Sequence, residues 1–447
     1  MPDFLHNRTP HFGVRFTQKL VNFLKQLMHI EAMGGAVLIL AAIAALIMAN
    51  SSYAEFYTKF LNLPFGIEIG SFSFSKDVHF WVNDGLMTLF FLVAGMEIRH
   101  EIHQGALSNI KQATLPIIAA IGGVCVPALI YIFFNYDIER SHGWAVPTAT
   151  DIAFAVGILA LLGKSVPTNL RVILLSLAII DDIIAVLIIA IFYSSGLDPY
   201  GFAIAIFGIV FVFLFQWIGL ASAWFYCVPA IIIWWGLMVL GIHPSLAGVI
   251  LGMLTPVISA HNTQSPLTRM SEAVTILQDK KKRQDAHHVD EALNSLKTAQ
   301  RDACAPINRV QKSLHPWVSF LIMPLFAFAN AGVSFSGFDF NAHGASWIVF
   351  GVALGLFVGK PIGILLASFM AIKSGLCRLP PHVNWSGLLL AGFLAGIGFT
   401  MAIFVSMLAF SDIHQLNAAK IGVLSGSGLS AIVALIYGRL YLRRLNK

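Results

Sequence analysis

Residues 172–192 read VILLSLAIIDDIIAVLIIAIF, two adjacent carboxylates at the centre of an otherwise apolar run that Arg171 precedes and Tyr193 follows. At about 1.5 Å of rise per helical residue, Asp182 stands roughly 16 Å from either marker, which is the middle of a hydrocarbon core about 30 Å thick. Each acid at that depth costs about 2.5 to 3.5 kcal/mol on insertion scales, and neighbouring like charges repel. Packing gives no reason to keep such a pair. The run therefore reads as a membrane span that carries chemistry.

Working outward, the next buried charge is Lys360 in GLFVGKPIG (355–363), midway between Trp347 and Lys373. A lone lysine at the midplane requires a counter-charge, and the carboxylate of Asp181 or Asp182 is the candidate. A third acid, Asp151, lies in WAVPTATDIAFAVGILALLG (144–163). There Pro147 removes a backbone donor, and Thr148, Thr150 and Asp151 offer the chain local alternatives to helical hydrogen bonds, so a broken helix is expected. A second weak point is AGFLAGIGFTM (391–401), with Gly392, Gly396 and Gly398 ahead of Thr400. Taken alone, each of these glycines reads more readily as a site of close helix packing. Irregular backbone at this depth is tolerated only against protein or a water-filled cavity, so the two breaks together point to an ion route. Half-helix ends carry partial charges, which Asp151 and Lys360 are placed to offset.

The whole chain agrees with a membrane reading. Of its 447 residues 57% are hydrophobic and 11% charged, and the mean hydropathy is +0.78. No water-soluble domain of this size keeps that balance. Apolar runs fall at roughly 32–49, 79–97, 114–134, 144–162, 170–193, 200–220, 222–238, 241–257, 316–333, 347–370, 386–410 and 417–441. Twelve spans put both termini on one side, and placing that side in the cytoplasm puts there 23 of the 28 Lys and Arg residues. That bias orients the chain and accounts for its excess of basic residues without a nucleic-acid partner. The first run is too long for a signal-peptide core, so a secreted product is not expected. Cys125, Cys227, Cys304 and Cys377 lie far apart and form neither a disulfide framework nor a zinc spacing. They read as free thiols.

The sequence predicts a single all-α transporter domain over 1–447, with a cytoplasmic segment at 1–30, an insertion at 259–312 and a second half at 313–441. Within 62–77, PFGIEIGSFSFS alternates Ile67 and Ile69, then Phe72 and Phe74, across Gly70–Ser71, an extracytoplasmic β-hairpin. In the insertion Val289, Leu293 and Leu296 set a narrow apolar stripe on a cytoplasmic helix. The bland reading of that stretch is a solvated linker containing a helix. Its charges, including Lys280 to Arg283, lie outside the bilayer and are free to pair with lipid headgroups or with Glu97 and Glu101. Spans three to five and ten to twelve each hold a broken helix in the middle, and three being odd, two such repeats face opposite ways.

With ATDIAFA, LAIIDDI, GIHPSLAGVI, LHPWVSFLIMPLFAFANAGVS, VGKPIG and GIGFTMAIF in hand, the chain resembles the NhaA family of bacterial sodium/proton antiporters along almost its whole length. That family is itself a known example of inverted repeats with discontinuous helices crossing at the midplane. The resemblance implies that Asp182 is the main Na+ ligand, that Asp181 partners it and contacts Lys360, and that Asp151 and Thr150 stand where the broken helices cross. It implies Na+ and H+ as transported ions, with Li+ beside Na+, more protons than sodium ions per cycle, and a homodimer joined through the hairpin. It further implies multi-pass residence in the bacterial inner membrane, and no cofactor is expected. Glu97 and Glu101 in GMEIRHE, with His315, would serve pH regulation from a cytoplasmic funnel. The departure is an insertion of several tens of residues between SPLTRMSEAV and LHPW. Ahead of His315 the expected acid and histidine are Gln311 and Lys312, unless Glu272 takes that role.

Three rivals compete with this reading. An intramembrane aspartyl protease also uses two midplane acids, but on facing helices and without a lysine at the same depth. A sodium-coupled symporter for an organic solute would show aromatic or arginine contacts near the breaks, where this chain has chiefly small residues. A structural membrane protein leaves the cost of three buried acids unexplained.

Overall fold

The computed structural model describes residues 31–445 except 71, 164, 195, 197, 220–221, 258–265, 279–285, 335–343 and 382. The segment 1–30 and the basic run Lys280 to Arg283 therefore lie outside the described residues. The chain is a helical bundle with one small antiparallel sheet. Among the described residues eight single helices are long and apolar enough to cross a membrane, and three bent pairs raise the number to eleven. Each of the twelve apolar runs does contain a helix. The run at 241–257 holds only Leu246–Leu254, nine residues, too short to span alone.

In chain order, α1 (Glu31–Ala49) is followed by α2 (Ala54–Leu61), and the pair bends by 115°. Tyr57 on α2 ties this elbow down by donating its hydroxyl to the Phe328 carbonyl at 2.6 Å. Strands β1 (Pro64–Ile69) and β2 (Phe72–Asp77) pair with Ile67 opposite Phe74 and Ile69 opposite Phe72, leaving the expected two-residue turn, in which Gly70 has a φ of 60°. A bare hairpin is marginal alone. This one is pinned by Phe74, whose ring meets those of Phe80, Trp81, Trp234 and Trp235, and by Trp81, which donates to the Phe65 carbonyl at 2.8 Å.

The next helices are α3 (Val78–Gln104) and α4 (Ile110–Phe134), then the broken pair α5 (Ile138–Thr148) and α6 (Ile152–Leu161), bent by 44°. After them come α7 (Thr168–Phe192), α8 (Pro199–Trp217), α9 (Ala223–Leu240) and α10 (Leu246–Leu254). In the insertion, α11 (Pro266–Gln278) packs on α12 (Ala286–Ala303) as a helical hairpin. The stripe that buries is not quite the one read from sequence: Ala273, Ala292 and Ala299 are buried between the helices, while Leu293 stays 44% exposed. Two thin helices meet most closely through alanines, so the small residues, rather than the leucines flanking them, set the seam.

The second half holds α13 (Pro306–Asn330), α14 (Ala345–Lys373), the broken pair α15 (Trp385–Ala395) and α16 (Phe399–Ala409), bent by 50°, and α17 (Ile413–Leu445). Residues 306–312, read from sequence as part of the insertion, form the first turns of α13, and Ile307 there is fully buried. The helices flanking the breaks pack on each other: α4 lies along α14, with Gly122 and Gly363 so close that a Cβ on either would collide with the backbone of the other. That contact brings α14 and its lysine against the break between α5 and α6.

Candidate ion site at the meeting of two broken helices

The two breaks touch. The Asp151 amide donates to the Ile397 carbonyl at 2.7 Å, and the Thr150 hydroxyl lies 2.9 Å from the Ala395 carbonyl. Each break thus satisfies backbone groups that the other leaves over. Asp151, fully buried, has its carboxylate at the start of both following half-helices: Oδ1 accepts from the Phe154 amide at 3.0 Å on α6, and Oδ2 accepts from the Thr400 amide at 3.2 Å and from the Thr400 hydroxyl on α16. One negative charge set against two helix N-termini is the offset that the dipoles call for.

Lys360 does something different from what its depth alone suggests. It is fully buried, yet it caps no helix. Its Nζ donates to Asp181 Oδ2 at 2.5 Å and to the Thr150 hydroxyl at 2.7 Å, and Thr150 Oγ1 stands 2.7 Å from that same Asp181 oxygen. Lys360 reaches the C-terminal end of α15 only through Thr150. Of the two candidate counter-charges, Asp181 is the one engaged. A wide i→i+5 turn at Gly355–Gly359 delivers the lysine. The glycines leave room for it, and Pro361 supplies no amide to tighten the turn that follows.

Asp182, one residue on and rotated away from Lys360, lines a cavity of about 90 Å³ together with Asp151, Glu97, His315 and Ser319. Among the described residues no group donates a hydrogen bond to it. A second cavity, about 280 Å³, shares Glu97, Ile152, Ala153, His315 and Ser319 with the first and widens past His100, Glu101 and Gln311 on the side that bears the α11–α12 hairpin. Gln311 donates to Glu97 Oε1 at 3.2 Å. Glu97 and His315 thus stand at the throat and Glu101 in the wider mouth, whereas Glu272 is exposed on α11. On the opposite side a cavity of about 550 Å³ beside the β-hairpin is lined by Asp77, His79, Asn83, Asp84 and His243 and ends against Phe404. Phe404 packs on Phe91 and Phe326, all three rings buried.

A family model described as Na+/H+ antiporter 1 matches residues 25–437. The chain belongs to the Na+/H+ antiporter 1 family. It is 62% identical over 444 residues to the Na(+)/H(+) antiporter NhaA of Bartonella tribocorum, covering 99% of this chain and 98% of that one. It is 61% identical over 447 residues to that of Bartonella henselae, covering 100% and 99%, and 52% identical over 435 residues to that of Bordetella petrii, covering 96% and 93%. The relatives extend across the insertion, so it is no peculiarity of one chain. Membership makes this a multi-pass bacterial membrane transporter and not a catalytic enzyme.

All five charged or hydroxylated residues singled out at the midplane, Asp151, Thr150, Asp181, Asp182 and Lys360, come together, and Glu97, Glu101 and His315 line the path that leads to them. Two polar residues were missed. Ser427 on α17 accepts from the Gly398 and Phe399 amides at 3.2 and 3.0 Å, closing the start of α16 from the side. Its signal was the run of small polar residues SGSGLS (425–430) inside an apolar span. Lys420, two turns into α17, is also buried.

Proposed function

We propose that this chain exchanges Na+ for protons across the bacterial inner membrane, both species competing for the carboxylates of Asp181 and Asp182. The observation that carries the reading is the division of labour on α7: Asp181 is held by Lys360 and Thr150, while Asp182 faces the narrow end of the cavity with Asp151 beside it. Na+ is a hard cation that prefers oxygen ligands, and Asp182 offers them at the end of an open route. The cavity of about 90 Å³ at Asp182 admits an ion. In this reading Li+ is accepted with Na+, no cofactor takes part, and Glu97, Glu101 and His315 regulate access with pH. The side bearing α11 and α12 is the cytoplasm, and the hairpin pairs with a second copy through its edge.

Binding Na+ from the cytoplasmic cavity, releasing it outside and returning with protons lets an inward proton gradient expel sodium. More protons than sodium ions per cycle makes the exchange electrogenic. Because the acids are coupled, their proton losses belong to the pair. Protons leave as pH rises, so apparent Na+ affinity in proteoliposomes is expected to rise with pH and then level off, and an imposed voltage to change the rate. An affinity flat from acid to alkaline pH would overturn the shared-site mechanism.

A further inference from the structure

On the outer surface, between α14, α15 and α17, a groove of about 500 Å³ is walled by Ile362, Leu366, Phe369, Trp385, Leu389 and Tyr437. Ile362, Leu366 and Phe369 are each about half exposed, and their spacing lines them up on one face of α14, which spans the membrane. That line ends on a cation: Lys373, one turn beyond, sets its Nζ 5.8 Å from the centre of the Phe369 ring. Across the groove Tyr437 is followed two turns later on the same face by Arg444, in the last turn of α17, and Arg378 is exposed in the connection between α14 and α15. No acid answers these charges from the surrounding chain. Residues 340–411 contain no Asp or Glu, Asp412 lies at the far end of the bundle, and none follows it. Trp385, whose ring meets that of Phe369 one turn from Lys373, stands where the apolar wall meets the charged rim, the depth that amphipathic rings prefer.

We propose that this groove is a specific site for an anionic phospholipid, an acyl chain lying along Ile362, Leu366 and Phe369 and the phosphate held by Lys373 and Arg444. Clusters of basic residues just beyond helix ends attract anionic headgroups, and here the cluster caps a preformed apolar slot. The position gives the lipid a role. Ile362 is two residues from Lys360, and Pro361 packs on Gly392 of α15, where a Cβ would come within 2.8 Å of the Pro361 Cα. A chain in the groove therefore buttresses the seam between the lysine's helix and the half-helix that leads to the second break.

Native mass spectrometry of the full chain, titrated in detergent with phosphatidylglycerol or phosphatidylcholine of equal chain length, tests the site. The wild type is expected to retain phosphatidylglycerol preferentially. The double variant Lys373→Gln, Arg444→Gln is expected to lose about fivefold in phosphatidylglycerol binding per cation removed, with phosphatidylcholine unchanged. Leu366→Trp, which fills the slot and leaves the charges, is expected to weaken both lipids. Equal retention of the two lipids by the wild type, undiminished phosphatidylglycerol binding in the charge variant, or undiminished binding in Leu366→Trp would each overturn the proposal and leave ordinary annular lipid. None of these readouts depends on antiport, so they stand or fall separately from the proposed exchange.

Discussion

The break between α5 and α6 runs through Ala149, Thr150 and Asp151, whereas the one between α15 and α16 runs through Gly396, Ile397 and Gly398. The first presents side chains: a hydroxyl to Lys360 and Asp181, a carboxylate to two helix N-termini. The second presents chiefly backbone: the carbonyls of Ala395 and Ile397 and the amides of Gly398, Phe399 and Thr400. Two breaks of similar bend thus meet as complementary halves, one bringing charge and the other unsatisfied peptide groups. The comparison teaches that glycine in the second break is there for closeness, since side chains on both sides would keep the halves apart.

If the charge side is what the ion uses, removing it has the largest effect. Asp182→Asn keeps volume and loses the titrating charge, and sodium-driven proton movement in proteoliposomes is expected to fall almost to nothing with expression intact, as it is for Asp181→Asn. Wild-type exchange in either variant would remove the carboxylates from the mechanism. Next is Lys360→Ala, which leaves the buried Asp181 carboxylate without its counter-charge and with only the Thr150 hydroxyl beside it; breaking a buried pair from one side costs about 3 to 5 kcal/mol, to be read as lowered thermal stability in detergent and slowed exchange. An unchanged melting temperature would mean that the pair contributes nothing.

The backbone side is tested by Gly398→Ala, whose Cβ would lie 2.9 Å from the Ala149 carbonyl and from a Leu356 methyl. Forcing the halves apart is expected to cost about 1 to 3 kcal/mol and to slow exchange. Gly428→Ala, where a Cβ meets nothing within 4 Å, is the control and should leave both unchanged. Equal behaviour of the two variants would show that the breaks need not touch so closely. The smallest effect is expected from replacing 266–303 by a short linker that spares Pro306 and Ile307: the pH profile shifts while exchange persists. An unshifted profile, measured by fluorescence quenching at graded pH, marks the helical hairpin as an inert connection.

Much of this was legible in the residues because burial of charge is costly enough to be informative from sequence alone. Asp181, Asp182, Asp151 and Lys360 announce themselves by depth, and Pro147 with its polar neighbours announces the first break. The β-hairpin follows from its alternation and a glycine turn. What sequence could not decide depends on rotation and on which surfaces meet. Depth left both acids on α7 as partners for the lysine until the family resemblance favoured Asp181, and only the rotation of α7 against α14 shows that contact. The seam of α11 on α12 runs through alanines, which no hydropathy pattern favours over nearby leucines. Ser427 is one small polar residue among several, and its role appears only when α16 starts beside it.

Thr150 carries a single hydroxyl hydrogen, and with Lys360 donating to its oxygen that hydrogen has two places to point, Asp181 or the Ala395 carbonyl. Charge on Asp181 draws it one way; a neutral Asp181 releases it to the other. A change of charge on Asp181 would then reach the peptide carbonyl at the end of α15 through a torsional flip of this one hydroxyl. An isotope-edited infrared band at Ala395 is expected to move to lower frequency when the carboxylate is neutralised, which turns a hydroxyl rotor into a vibrational readout of occupancy at the crossing.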